Sequence, residues 1–184
     1  MQLSENKYYL KSSINFFKKN FEKRLNFIKN KSFLFTEVSN FLNNCIDNTK
    51  NLCVFCAGNS IISKHILSSK IYIKEIDEKY EIKYNDKIFY KHDISKEEIG
   101  SCDTVIIADI EHQINPASNL LKLSKIINDD AKIIVLSKNM VWMVLIKILK
   151  FFFNFSPLRN NFLPSSYLNN LFTSCNLEVV RNEK

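Results

Sequence analysis

The spacing of apolar and polar positions changes near residue 50. Before it, "INFFKKNFEKRLNFIKN" sets Phe16, Phe17, Phe21, Leu25 and Phe27 near one face of a 3.6-residue period, with Lys and Arg opposite. "FLFTEVSNFLNNCI" follows as a second helical pattern, so residues 1–50 predict an N-terminal helical cap on a single domain. After it, short apolar runs of strand length alternate with helical patterns. "NLCVFCA", "KIYIKEID", "KIFYKHDI", "CDTVIIADI" and "AKIIVLSK" predict five strands. "SIISKHILSS" predicts a helix after the first strand. "NPASNLLKLSKIINDD" predicts another before the fifth, with Leu120, Leu121, Leu123, Ile126 and Ile127 apolar and Asn115 or Pro116 at its start. Such alternation predicts an α/β core over residues 51–184, a Rossmann-like, doubly wound and mostly parallel sheet. "TVIIADI" and "KIIVLS" are apolar almost throughout, as strands covered on both faces are.

One segment breaks the pattern. "MVWMVLIKILKFFFNF", Met140 to Phe155, is strongly apolar but carries Lys147 and Lys150. It falls short of the ~20 residues of a membrane span, and each central lysine costs roughly 2.5–3.5 kcal/mol on insertion. A helix packed on the sheet is the first expectation. The second is a helix in a membrane interface, with Trp142 and the phenylalanines down and the lysines reaching up.

With 184 residues, 46% of them hydrophobic, the chain is long enough for one real core. Lys and Arg outnumber Asp and Glu by 26 to 19, a net +7, in a sequence rich in Lys, Asn, Ile and Phe. That sign permits an anionic partner without requiring one. No nucleic-acid motif or long basic run is present, so nucleic acid is not expected as a partner. Five scattered cysteines and a polar start, "MQLSENKYYL", point to free thiols in a reducing cytoplasm. Cys53 and Cys56 form a C-x-x-C within a predicted strand, where side chains three apart face opposite ways, so no metal site is expected.

Parallel crossovers of one hand bring all strand carboxyl ends to one edge, where open sheets bind ligands. After the first strand comes Cys56-Ala57-Gly58-Asn59-Ser60, five small residues with one of the chain's two glycines. A ligand can approach such a backbone closely, and a helix start capped by Asn59 or Ser60 offers N–H groups to an anion. Glu75 ends the second strand, with Asp77 two on; a carboxylate there can take both hydroxyls of a ribose. His92-Asp93-Ile94 follows the third, an acid beside an apolar residue, suited to an adenine. Asp109-Ile110-Glu111-His112 follows the fourth.

In that order, from Asn51 to Arg181, the sequence resembles the class I S-adenosylmethionine-dependent methyltransferases, and their small-molecule branch in particular. "NLCVFCAGNS" is similar to the family's first motif, "IYIKEIDEKY" to the second-strand motif and "YKHDIS" to the third. "CDTVIIADIEHQINPASNLLKLSKIINDDAKIIVLSKN" resembles the fourth strand, an acid-x-x-Glu-His-type loop, a Pro-led helix and the fifth strand. "LPSSYLNNLFTSCNLEVVR" resembles the late helix and sixth strand. The resemblance implies S-adenosylmethionine as cosubstrate, held by Cys56, Gly58 and Ser60 at its methionine part, Glu75 at the ribose, and Asp93 and Ile94 at the adenine. Asp109, Glu111 and His112 would border the acceptor, with His112 taking a proton from a hydroxyl.

The first motif departs from the family. Cys56 and Ser60 stand at two of its three glycines, and Val54 stands at its usual acid, which helps hold the methionine amino group. The family's seventh strand has no counterpart before Lys184, which implies a fragment or a rearranged sheet. These departures keep a second expectation open, a non-catalytic methyltransferase-like scaffold or membrane-surface subunit. One loop glycine cannot build the dinucleotide fingerprint of a nicotinamide oxidoreductase. The aromatic stretches Tyr8 to Phe41 and Trp142 to Phe162 point to an apolar or amphipathic acceptor, such as a lipid-linked sugar. An unfilled sheet edge would favour a homo-oligomer.

Overall fold

The structure, a computed structural model, describes residues 8–46, 49–58, 60–81, 86–91, 93–137 and 163–180. Asn59, His92 and the whole Met140–Phe155 segment, with Trp142, lie outside the described residues.

The core is a five-stranded sheet in the order β3-β2-β1-β4-β5, with every pairing parallel: β1 (Asn51–Cys56), β2 (Lys70–Lys74), β3 (Ile88–Tyr90), β4 (Thr104–Ala108) and β5 (Lys132–Val135). The chain builds outward from β1 to β3, then crosses back to lay β4 on the other side of β1. Cys56 pairs with Ala108 at the carboxyl end, so the loops after β1 and β4 part at the switch point of the strand order, where open parallel sheets place ligands.

Alternation along β1 decides which face each residue covers. Cys53 and Phe55 join Tyr72, Val105 and Ile107 in one core; Leu52, Val54 and Cys56 join Ile71, Ile73 and Ile106 in the other. The two thiols of the C-x-x-C thus lie on opposite faces. Helices α1 (Lys11–Lys19), α4 (Lys96–Gly100), α5 (Pro116–Ser124) and α6 (Ser165–Ser174) put Phe17, Ile99, Leu120, Leu123, Leu168 and Leu171 on the first core. The second is covered by Leu42 of α3 (Ser32–Cys45) and by Ile62 and Ile66. Between α1 and α3 runs α2 (Phe21–Asn30).

Several elements differ from expectation. The first amphipathic run divides at Asn20, whose side-chain amide donates to the Phe16 carbonyl at 2.9 Å and competes with the next helical turn. "SIISKHILSS" forms only a 3-10 turn, Ser60–His65. Hydroxyls take its carbonyls there: Ser39 donates to Ile62 O at 2.6 Å, and Ser63 donates to Ser60 O. α4 was not expected, although Ser95 and Glu98 form a complete capping box at its start. At α5 both start signals operate, with Asn115 capping the Ser118 N–H at 3.0 Å and Pro116 in the first turn. No sixth strand is seen among the described residues. The chain leaves α6 through Asn176 in the left-handed region (φ 57°), and Leu177 N–H returns to Phe172 O at 2.9 Å. Val179 and Val180 then run exposed (40% and 89%) without a ladder. Among the described residues the sheet therefore has five strands rather than six, and no helix is long and apolar enough to cross a membrane.

Candidate functional site

The loop after β1 turns at Gly58, with φ at +67°, a conformation that L side chains rarely adopt. Glu75, one residue beyond β2, reaches across to it. One carboxylate oxygen accepts the Gly58 and Ile76 N–H groups at 2.8 and 3.0 Å. The other accepts the Ser60 N–H at 2.9 Å and faces the Cys56 thiol at 3.3 Å. A carboxylate offers about four lone-pair sites, so these donors use its capacity. Burial raises the Glu75 pKa, and the same hydrogen bonds pull it back. Arg24 Nε donates to Gly58 O at 3.3 Å from the other side, its own pKa lowered by burial. Cys56, Gly58, Ser60 and Glu75 therefore come together at one point.

An N-terminal strap closes over them. Tyr9 bridges antiparallel to Gln113; Leu10 N–H donates to His112 O and Ile114 N–H to Tyr8 O, both at 2.8 Å. The Tyr9 hydroxyl donates to Cys56 O at 3.0 Å, spanning the crevice between β1 and β4. Phe17 lies directly on the glycine: a Cβ placed at Gly58 would stand 2.8 Å from Phe17 Cε1. Tyr80, in the turn Glu78–Tyr80 capped by Asp77, donates from its hydroxyl to Phe17 O at 2.9 Å and accepts Ser60 Oγ on its carbonyl. Burial pushes that phenol up to about 12, so it stays a neutral donor at any ordinary pH.

Asp93 forms an ion pair with Lys74 at 3.1 Å, the lysine buried and the aspartate 42% exposed. Ile94 packs, half-buried, against the first core. On the β4 side, Asp109, Glu111 and His112 are all buried. His112 Nδ1 meets Ser13 Oγ at 3.2 Å, and its ring stands edge-on to Phe17 with centroids 5.3 Å apart. Asp109 Oδ1 accepts Gln113 Nε2 at 2.8 Å and is 3.5 Å from the Tyr8 hydroxyl. Gln113 Nε2 also donates to Tyr8 Oη at 2.8 Å, and Asn119 donates to Gln113 Oε1 at 3.0 Å. Among the described residues, the buried Asp109 Oδ2 has no hydrogen-bond partner. Burial raises this carboxyl to about 6, against the pull of Gln113, Tyr9 and Tyr8, while the Glu75 charge adds to the rise.

No protein-family model matches the chain, and no curated protein matches it.

Sequence reasoning found the strand-end residues and missed what covers them. Tyr8, Tyr9, Phe17, Arg24 and Tyr80 show no signal beyond an aromatic-rich start, because these hydrogen-bond partners lie from 20 (Ser60 to Tyr80) to 106 (Tyr8 to Ile114) residues away. Lys74 reads as an ordinary alternating position of β2, yet it holds Asp93. Among the described residues no group of three or more His, Cys, Asp and Glu side chains is placed to hold a metal ion.

Proposed function

We propose that the protein is an S-adenosylmethionine-dependent methyltransferase acting on a small molecule, a sugar or a lipid-linked acceptor. One observation carries this: the β2 carboxylate, Glu75, grips the N–H groups of a left-handed glycine loop beside the switch point of a parallel sheet. A nucleoside cosubstrate needs that combination, a backbone approachable at Gly58 and an acid for ribose hydroxyls one strand over. Two further features fit it. Asp93 and Ile94 lie beyond the next strand, and among the described residues a buried carboxylate oxygen of Asp109, just after β4, lacks a partner. Cys56, Gly58 and Ser60 would hold the methionine part, Glu75 the ribose, and Asp93 with Ile94 the adenine.

When bound, the cosubstrate supplies an electrophilic methyl group, and the protein's task is alignment and exclusion of water. Tyr9, Phe17 and Tyr80 exclude water from the loop. Ser13 Oγ, 3.2 Å from His112 Nδ1, would orient the ring as the candidate to accept a proton from an acceptor hydroxyl. The described conformation is closed. Admission of the cosubstrate requires α1 to carry Phe17 off Gly58 and Glu75 to trade loop N–H groups for hydroxyls. Exposed Phe27, Phe33, Leu34 and Phe41 on α2 and α3 favour an acceptor with an apolar part.

The closure also favours a second reading, a non-catalytic methyltransferase-like module that needs no cosubstrate. Calorimetric titration with S-adenosylmethionine separates the two. Micromolar binding, lost in Glu75→Ala with the far-ultraviolet circular dichroism unchanged, is the expected result. A folded wild type that binds nothing overturns the enzyme and leaves the module.

A further inference from the structure

We infer that the junction of α2 and α3 is a docking surface for an anionic phospholipid bilayer, with Phe27, Phe33 and Leu34 entering the acyl boundary and Lys23, Lys29 and Lys31 meeting the headgroups. This surface does not rest on the methyltransferase reading above.

Burial singles the junction out. α2 ends at Asn30 and α3 begins at Ser32, with Lys31 between them outside helical geometry (φ −119°, ψ 27°). The last turn of one helix and the first turn of the next therefore meet there. Phe27, Phe33 and Leu34 are 45%, 58% and 46% exposed. Single exposed apolar residues are ordinary, but three large ones at one helix junction make a patch. The inward side of the same helices is supplied separately, by Ile28 and Leu42, with Phe35 packed on the second core. The Phe27 ring stands edge-on to Phe35 with centroids 6.3 Å apart, and the Arg24 guanidinium lies 5.3 Å from its centre, so the ring is held at the surface.

Charge says what covers the patch. From Lys23 to Thr36 the chain has four cations and no acid. Residues 11–31 carry seven Lys and Arg against one acid, Glu22, a net +6 in a chain of net +7. Lys23, Lys29 and Lys31 are exposed and pair with no carboxylate among the described residues. Exposed rings flanked by unpaired lysines match the composition of helices that lie in a membrane interface. The apolar side chains leave water, while the lysine stems follow them and keep the ammonium groups at the anionic surface. Other occupants fit less well. A second copy docked through the same patch sets lysines against lysines. A nucleic acid pairs with the cations and stacks on the rings but leaves Leu34 without a partner.

Arg24 links this surface to the loop after β1. Its Nε donates to Gly58 O at 3.3 Å while its guanidinium lies over Phe27. A bilayer engaged by Phe27 is therefore one side chain away from that loop.

The test is co-sedimentation of the full chain with vesicles of phosphatidylcholine alone and of phosphatidylcholine with phosphatidylglycerol. The anionic vesicles should bind tighter by roughly tenfold or more, and salt raised to about 0.5 M should reverse most of that gain. Lys29→Gln with Lys31→Gln should weaken anionic binding by roughly twentyfold. Phe33→Ser with Leu34→Ser should weaken it by roughly tenfold or more. All four side chains are exposed, so both variants should keep the far-ultraviolet circular dichroism of the wild type. Equal binding to the two vesicle types, or no binding to either, overturns the surface. So does binding that survives both junction variants and is lost in Trp142→Ala with Phe152→Ala, which assigns the membrane contact to the Met140–Phe155 segment. A dimer that Phe33→Ser with Leu34→Ser dissociates, or retention of a short RNA without vesicle binding, overturns it in favour of a second copy or a nucleic acid. Titration with S-adenosylmethionine reads the cosubstrate site separately from all of these.

Discussion

At the scale of residues, two positions hold the site's strain. Gly58 combines left-handed backbone with a phenyl ring in van der Waals contact. Gly58→Ala should cost about 1–2 kcal/mol for the backbone and about 1–3 kcal/mol for overpacking against Phe17. Phe17→Leu in the same chain should relieve only the second part, which a double-mutant cycle by urea unfolding would separate. Asp109 is the other position. Its carboxyl titrates at about 6 when folded against an ordinary 3.8, so the folded state binds the extra proton between those values. Stability therefore falls as pH rises through that window and levels off above it. The change is on the order of 3 kcal/mol at most. Wild type should lose melting temperature between about pH 4 and 6.5 relative to Asp109→Asn, and equal slopes for the two would contradict the shift. The lone loop glycine was visible in the sequence. The ring above it was not, because nothing local ties residue 17 to residue 58.

At the scale of elements, α1 is held by contacts at its side and by the strap before it. The Tyr80 hydroxyl reaches Phe17 O at 2.9 Å, the Phe17 ring abuts His112, and two backbone bonds bind Tyr8 and Leu10 to the segment after β4. Removing one buried hydrogen bond costs about 1 kcal/mol. Tyr80→Phe should accordingly speed amide exchange across Lys11–Lys19 by roughly fivefold and leave α5 unchanged. Comparable acceleration in α5 would mean that the helix opens only with the whole core. Local signals differed in how far they carried. Asn115 and Pro116 began α5 where expected, and the Ser95–Glu98 box at α4 was present to be read. The turn Ser60–His65 reads as a helix in the sequence because the partners that shape it come from other elements: Ser39 from α3, and Tyr80 as acceptor for Ser60.

At the scale of the molecule, the strand order 3-2-1-4-5 makes the crevice and the strap closes it. A cosubstrate that needs the open form binds with an affinity reduced by the open fraction. Tyr80→Phe should then tighten S-adenosylhomocysteine binding by roughly the factor by which it opens α1, about fivefold, through a faster association rate. Stopped-flow association checks this. An unchanged rate would mean that the cosubstrate enters without moving α1.

Periodicity and turn chemistry alone determined the α/β class, the five strands and the strand-end residues Gly58, Glu75, Asp93 and Asp109, because alternation and caps act between residues a few positions apart. They could not determine what those residues touch. Glu75 holds Gly58 from 17 residues away, Asp93 holds Lys74 from 19, and Asp109 meets Tyr8 across 101. Such pairings depend on which strands become neighbours and on where an N-terminal segment finds an unfilled crevice. Both follow from burying apolar faces and satisfying polar groups over the whole chain at once. Tertiary structure alone decided that the loop is closed, that Val179 and Val180 lie outside the sheet, and that one buried carboxylate oxygen has no partner among the described residues.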